Sequence, residues 1–141
     1  MNIYDKLMNA FDNMNADAVM EFYHSDYAFV RHQTDTVLTL SEWAPMMKDM
    51  IESGKMKIIS SKCCYENEEV LVIHNVLSFP DGSKEAVLAC HKKKDGKIFH
   101  TETGATPLKW REELMSDWVI PSGVAYYNFW ISWNYLHLTK F

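Results

Sequence analysis

Apolar positions at the start of the chain recur every three or four residues. Ile3, Leu7, Met8, Phe11 and Met14 form one stripe, which predicts a helix over residues 2–14. Asn15 and Asp17 are cap-type residues for a second, short helix that turns Val19, Met20 and Phe22 inward. "YAFVRH" (27–32) predicts a strand and "TVLTL" (36–40) a short extended piece. A third helix follows, with Ser41 as the expected N-cap and Glu42 in its first turn. Trp43, Met46, Met47, Met50 and Ile51 form its buried stripe, and Gly54 stops it. Pro45 is late for a first turn, which places the expected start a residue or two further on.

The period then changes to two. "KMKIISSKCCYE" (55–66) alternates weakly, and "EVLVIHNVLSF" (69–79) is apolar on both faces except for His74 and Asn75. "PDGS" separates it from "KEAVLACHKKK" (84–94), and Asp95-Gly96 separates that from "KIFHTETGATP" (97–107). Asp-Gly between strand-like runs is a strong hairpin signal, so these runs predict an antiparallel meander. Helices followed by long strands point to an α+β fold, expected over residues 1–108. Residues 109–141 form an aromatic extension containing Tyr126, Tyr127, Phe129, Trp130, Trp133, Tyr135 and Phe141.

The chain has 141 residues, enough for one core, with 48% hydrophobic and 23% charged residues. Its formal net charge of -5 argues against a nucleic-acid surface, and the one basic run, "HKKKDGK", falls at a hairpin end. Residues 119–138 carry no charge, but Pro121, Ser122, Gly123, Asn128, Ser132, Asn134 and His137 interrupt them. No membrane span is expected. The start "MNIYDKLMNAF" lacks the basic, apolar and cleavage regions of a signal peptide. Three cysteines, Cys63, Cys64 and Cys90, form no pairing framework and fit reduced thiols in a cytoplasmic protein.

Two-residue turns at Asp81-Gly82 and Asp95-Gly96 would set His74 opposite Ala89, Ala89 opposite Glu102, and His91 opposite His100. Alternation then puts His74, His91, His100 and Glu102 on one sheet face, with Asn75, Leu88, Cys90, Phe99, Thr101 and Thr103 on the other. One bulge would flip a strand's whole set. Imidazole beside carboxylate is a general acid/base pair. At each histidine the alternative is a satisfied structural or solvated side chain. Tyr23 and Tyr27 offer pocket hydroxyls, and Trp43 and Met47 are core residues that double as pocket wall. The histidines and Glu102 lack a compact metal-ligand spacing, so no metal is expected. No phosphate loop or nucleophile motif occurs, and no cofactor is expected.

Residues 3–108 resemble a nuclear-transport-factor-two-like domain, the fold shared with SnoaL-like cyclases and ketosteroid isomerases. The likeness lies in "ADAVMEFYHSDYAFVRH", "LSEWAPMMKDM" and "DGSKEAVLACHKKKDGKIFHTETGATP". It implies a cystatin-like cone in which three N-terminal helices pack on a curved antiparallel sheet around an apolar pocket. It also implies back-to-back homodimers, with the aromatic extension covering the sheet or the partner. By this likeness His32 stands where the isomerases hold their base, and Met8 where they hold a tyrosine. His74 falls near a histidine of the dehydratases. Thr103 stands near the place of a cyclase aspartate. The resulting expectation is a protein binding a small hydrophobic molecule, with Tyr23, Tyr27, Trp43, Met47, His91, His100 and Glu102 lining the site. The alternative is a cofactor-independent isomerase, cyclase or dehydratase with His74 and His32 as catalytic groups.

Overall fold

The computed structural model describes residues 2–32 and 34–109. Three helices, α1 (Tyr4–Asp12), α2 (Ala16–Met20) and α3 (Leu40–Glu52), accompany six strands. The strands are β1 (Tyr23–Arg31), β2 (Thr36–Thr39), β3 (Lys57–Glu66), β4 (Val70–Ser78), β5 (Lys84–Lys94) and β6 (Lys97–Leu108). No helix among the described residues is long and apolar enough to cross a membrane. The expectations for the aromatic extension, including its packing on the sheet, concern residues outside those described.

The strands form one sheet in the order β2-β1-β6-β5-β4-β3. It is mixed rather than wholly antiparallel, because β1 pairs with β6 in parallel. The reason is parity. The β3–β6 meander leaves β6 running in the direction of β1, so joining the two makes their pair parallel. Ile98 N–H donates to the Phe22 carbonyl at 2.8 Å where that junction begins.

Helix α3 begins earlier than Pro45 suggests. Thr39, rather than Ser41, is its N-cap, and the Glu42 carboxylate accepts from the Thr39 backbone N–H at 2.9 Å. This capping box anchors the start two residues upstream of the expected cap, with Pro45 inside the helix at the cost of one backbone hydrogen bond. Helix α1 has one local side-chain cap, Asn2 Oδ1, which accepts from Tyr4 N–H at 3.1 Å, and none from its N-cap Ile3. Glu66, at the end of β3, supplies another from far along the chain: it accepts from Ile3 N–H at 2.6 Å and Tyr4 N–H at 3.2 Å. Lys93 Nζ donates to the same carboxylate at 2.6 Å and to the Asn67 carbonyl at 2.8 Å. Ile3, Leu7, Val19, Tyr23, Leu71 and Ile98 close the core around these ties.

Both hairpin registers depart from the simple expectation, by one residue each. Phe79 N–H donates to the Ser83 carbonyl at 3.0 Å, enclosing a three-residue loop, Pro80–Gly82, in place of a two-residue turn. Proline suits the second position of a type I turn, and Gly82 takes the left-handed conformation (φ 82°) that completes it. His74 therefore faces Leu88, not Ala89. The Asp95-Gly96 turn does hold two residues, both at positive φ. Beyond it a bulge at Phe99 shifts the ladder, so His91 faces Thr101 and Cys90 faces Glu102. The bulge lets Ile98 and Thr101, three residues apart, both enter the interior.

Candidate functional site

The corrected register sorts side chains cleanly. Ile73, Asn75 and Leu77 of β4, Val87, Ala89 and His91 of β5, and Thr101, Thr103 and Ala105 of β6 share a face and line one cavity. Leu7, Met8 and Phe11 of α1 and Trp43, Met46, Met47 and Met50 of α3 form the opposite wall. The volume is about 940 Å³, near the upper end of the roughly 300–1,000 Å³ usual for small-molecule sites. Methionines dominate the helical side, and their flexible thioethers adapt to a guest's shape.

One end of the cavity is aromatic. Trp43 lies 4.7 Å from Tyr23, 4.9 Å from Tyr27 and 6.2 Å from Phe29, centroid to centroid. Burial raises the hydroxyl pKa of both tyrosines, and Tyr23 adds to the effect at Tyr27. Both hydroxyls therefore stay protonated at neutral pH and can donate a hydrogen bond. Tyr27 Oη approaches Thr101 without a hydrogen bond of ordinary geometry, and Tyr27 Oη, Trp43 Nε1 and Asn75 Oδ1 are buried without partners among the described residues. His91 Nδ1 and Thr101 Oγ1 share a hydrogen bond of 2.8 Å, which leaves Nε2 as the ring nitrogen available to a guest.

Burial pushes the His91 pKa down from 6.5 to about 4. As pH falls, the unfolded chain takes up this proton first. The stability that depends on neutral His91 is thus complete above pH 6.5 and drains away between 6.5 and about 4. His91→Gln should remove roughly 2 kcal/mol of the stability difference between pH 7 and pH 5. Urea midpoints at the two pH values measure it, and an unchanged difference would place the proton elsewhere.

No protein-family model matches the sequence, and no curated protein is similar to it. Solved structures are. An NTF2-like protein of unknown function from Burkholderia xenovorans superposes with a TM-score of 0.59 at 13% identity, covering 84% of this chain and 94% of that one. IdmH from Streptomyces antibioticus, a candidate polyketide cyclase, gives 0.55 at 14% identity over 70% of this chain and 86% of its own. A SnoaL-like protein of unknown function from Burkholderia thailandensis gives 0.51 at 10% identity, over 70% and 86%. This chain has the NTF2-like fold.

Within this NTF2-like cone the expected site residues separate into two groups. Tyr23, Tyr27, Trp43, Met47, His91 and His32 line the cavity. His74, His100 and Glu102 do not: the one-residue shifts of β4 and of β6 relative to β5 turn all three to the outer face. There His100 Nε2 meets Glu102 Oε1 at 2.9 Å and His32 Nε2 lies 3.8 Å from Glu102 Oε2. His32 follows the end of β1 and is largely exposed at the rim. The paired polar residues of β4 are thus divided, with Asn75 inward and His74 outward. Asn75, Thr101 and Thr103 line the cavity with His91, against the alternation expected from two-residue turns. Pro80, which favours the longer turn, marks the shift at Asn75. Nothing local marks the Phe99 bulge. Among the described residues no cluster of His, Cys, Asp or Glu has metal-site geometry.

Proposed function

We propose that this protein binds a small hydrophobic molecule inside the cone. The observation that carries this reading is the cavity itself: apolar on both walls, and furnished with a few converging polar groups. Nile red, a neutral polarity-sensitive dye, tests it. One equivalent should bind with a blue-shifted, enhanced emission. No binding at micromolar protein would count against a ligand site.

A catalytic reading has one supporting observation, His91 in the cavity wall, together with the likeness to a candidate cyclase. It passes from His74 and His32 to His91. A base whose pKa lies near 4 has little drive to accept a proton, and no carboxylate backs its ring. Binding is therefore the reading we adopt, with isomerisation, cyclisation or dehydration second.

We propose also that the outer face pairs with a second copy. Leu88 is 51% exposed there, near Cys90 on its own strand and Val72 and Val76 on β4. Leu88→Lys should convert a dimer into a monomer by light scattering without lowering the melting temperature of the monomer. A monomeric parent protein would end that proposal. The free thiols Cys63, Cys64 and Cys90 fit a reducing, cytoplasmic setting.

A further inference from the structure

The unpartnered polar atoms of the cavity wall have a chemical pattern. Trp43 Nε1–H can only donate, and the Tyr27 hydroxyl remains protonated and can donate too. Their rings touch, with centroids 4.9 Å apart, so both donors belong to the aromatic end. Asn75 Oδ1 can only accept. It stands elsewhere along the wall. Tyr27 lies beside Thr101, Thr101 pairs with His91 and His91 with Leu71; Asn75 lies four residues beyond Leu71 on β4, an offset of roughly 13 Å along the strand direction.

An unpaired buried donor or acceptor costs roughly 1–3 kcal/mol, and three around one cavity make a demand that a guest of complementary chemistry would meet. The charged side chains of the lining, Arg31, Asp81 and Glu85, belong to strand ends and the β4–β5 turn. Between the donor end and Asn75 the wall adds only neutral polar groups, His91 and the Thr101 and Thr103 hydroxyls, to methionine, aromatic and aliphatic side chains. A full charge placed there would lose its hydration with no counter-charge to replace it.

We infer that the ligand is an uncharged, elongated molecule with an oxygen acceptor, such as a ketone, held by Trp43 and Tyr27, and a hydroxyl or N–H donor held by Asn75. This rests on the ligand-binding reading above and narrows it to a class.

Five dodecane chains test the class: one bearing a terminal-region ketone and an opposite hydroxyl, one with the ketone alone, one with the hydroxyl alone, one with neither, and one with the hydroxyl replaced by carboxylate. Binding is read by calorimetric melting shift and titration. The hydroxy ketone should bind tightest, and each missing group should weaken binding on the order of tenfold. Trp43→Phe and Tyr27→Phe should weaken only the chains with a ketone. Asn75→Leu should weaken only those with a hydroxyl. In every variant, unchanged binding of the bare chain shows that the cavity is intact. If the bare chain binds as tightly as the hydroxy ketone, or the carboxylate binds best, the inferred class is wrong while the binding site stands. If no chain binds although Nile red does, the class is wrong as well. If neither the chains nor Nile red bind, the underlying reading fails.

Discussion

Glu66→Ala should cost about 3–5 kcal/mol of unfolding free energy, a large share of the ~5–15 kcal/mol of an ordinary domain. Glu66 and Lys93 side chains are 6% and 2% exposed, and their charged atoms meet at 2.6 Å. Truncating the carboxylate removes the close counter-charge of a buried ammonium and the Glu66 bond to Ile3 N–H, and leaves Tyr4 N–H its bond to Asn2 Oδ1 at 3.1 Å. Urea denaturation followed by far-ultraviolet circular dichroism measures the loss. Adding Lys93→Met should recover part of it, because the buried charge that has lost its closest counter-charge disappears with the lysine. The bond to Ile3 N–H stays lost, so recovery should be incomplete. A single-variant cost below about 1 kcal/mol would contradict a buried pair.

The same carboxylate sets an acid limit. Burial pushes its pKa up, but hydrogen bonds from Ile3 N–H, Lys93 and Tyr4 N–H, with the lysine's charge, outweigh that and hold it below 4.5. A depressed carboxylate contributes its stability in full above 4.5, the unfolded value, and loses it as pH falls through the lower folded value. The Glu66→Ala penalty should accordingly shrink on acidification below that range. His91 acts higher, from pH 6.5 down. The two acid limbs are separable by variant.

Local patterning exposes most of this architecture. The stripe Ile3, Leu7, Phe11 and the stripe Trp43, Met47, Ile51 declare helices because periodicity is a property of neighbouring residues. The Asp95-Gly96 turn is visible for the same reason. What stays hidden is pairing across distance. Nothing near Glu66 in sequence says that it caps a helix more than sixty positions upstream, and nothing near β1 says that β6 will lie parallel to it. The site suffers most from this. Which of two adjacent residues, His74 or Asn75, enters the cavity depends on whether one turn holds two residues or three. Two one-residue shifts, the longer turn and the Phe99 bulge, exchange a histidine cluster for an asparagine and a histidine–threonine pair.

Ala89→Trp should abolish binding of Nile red, a loss of at least about a hundredfold, while leaving the fold intact. Ala89 is central to the concave face, opposite Ile73 on one side and Thr103 on the other, and its side chain lines the cavity. Adding an indole in a close-packed core would force neighbours aside at a cost of roughly 1–3 kcal/mol. Here the new ring enters cavity volume and gains contact with the apolar lining instead, so the melting temperature should hold or rise. Its bulk displaces any guest that spans from the aromatic end to Asn75. The companion change Cys90→Trp points to the outer face, one residue away, and should leave the dye bound. Loss of binding in both variants would reflect general damage. Loss in Ala89→Trp alone would tie the dye to this cavity. Retention in both would mean that the register of β5 differs from the one described, or that the dye binds elsewhere on the protein.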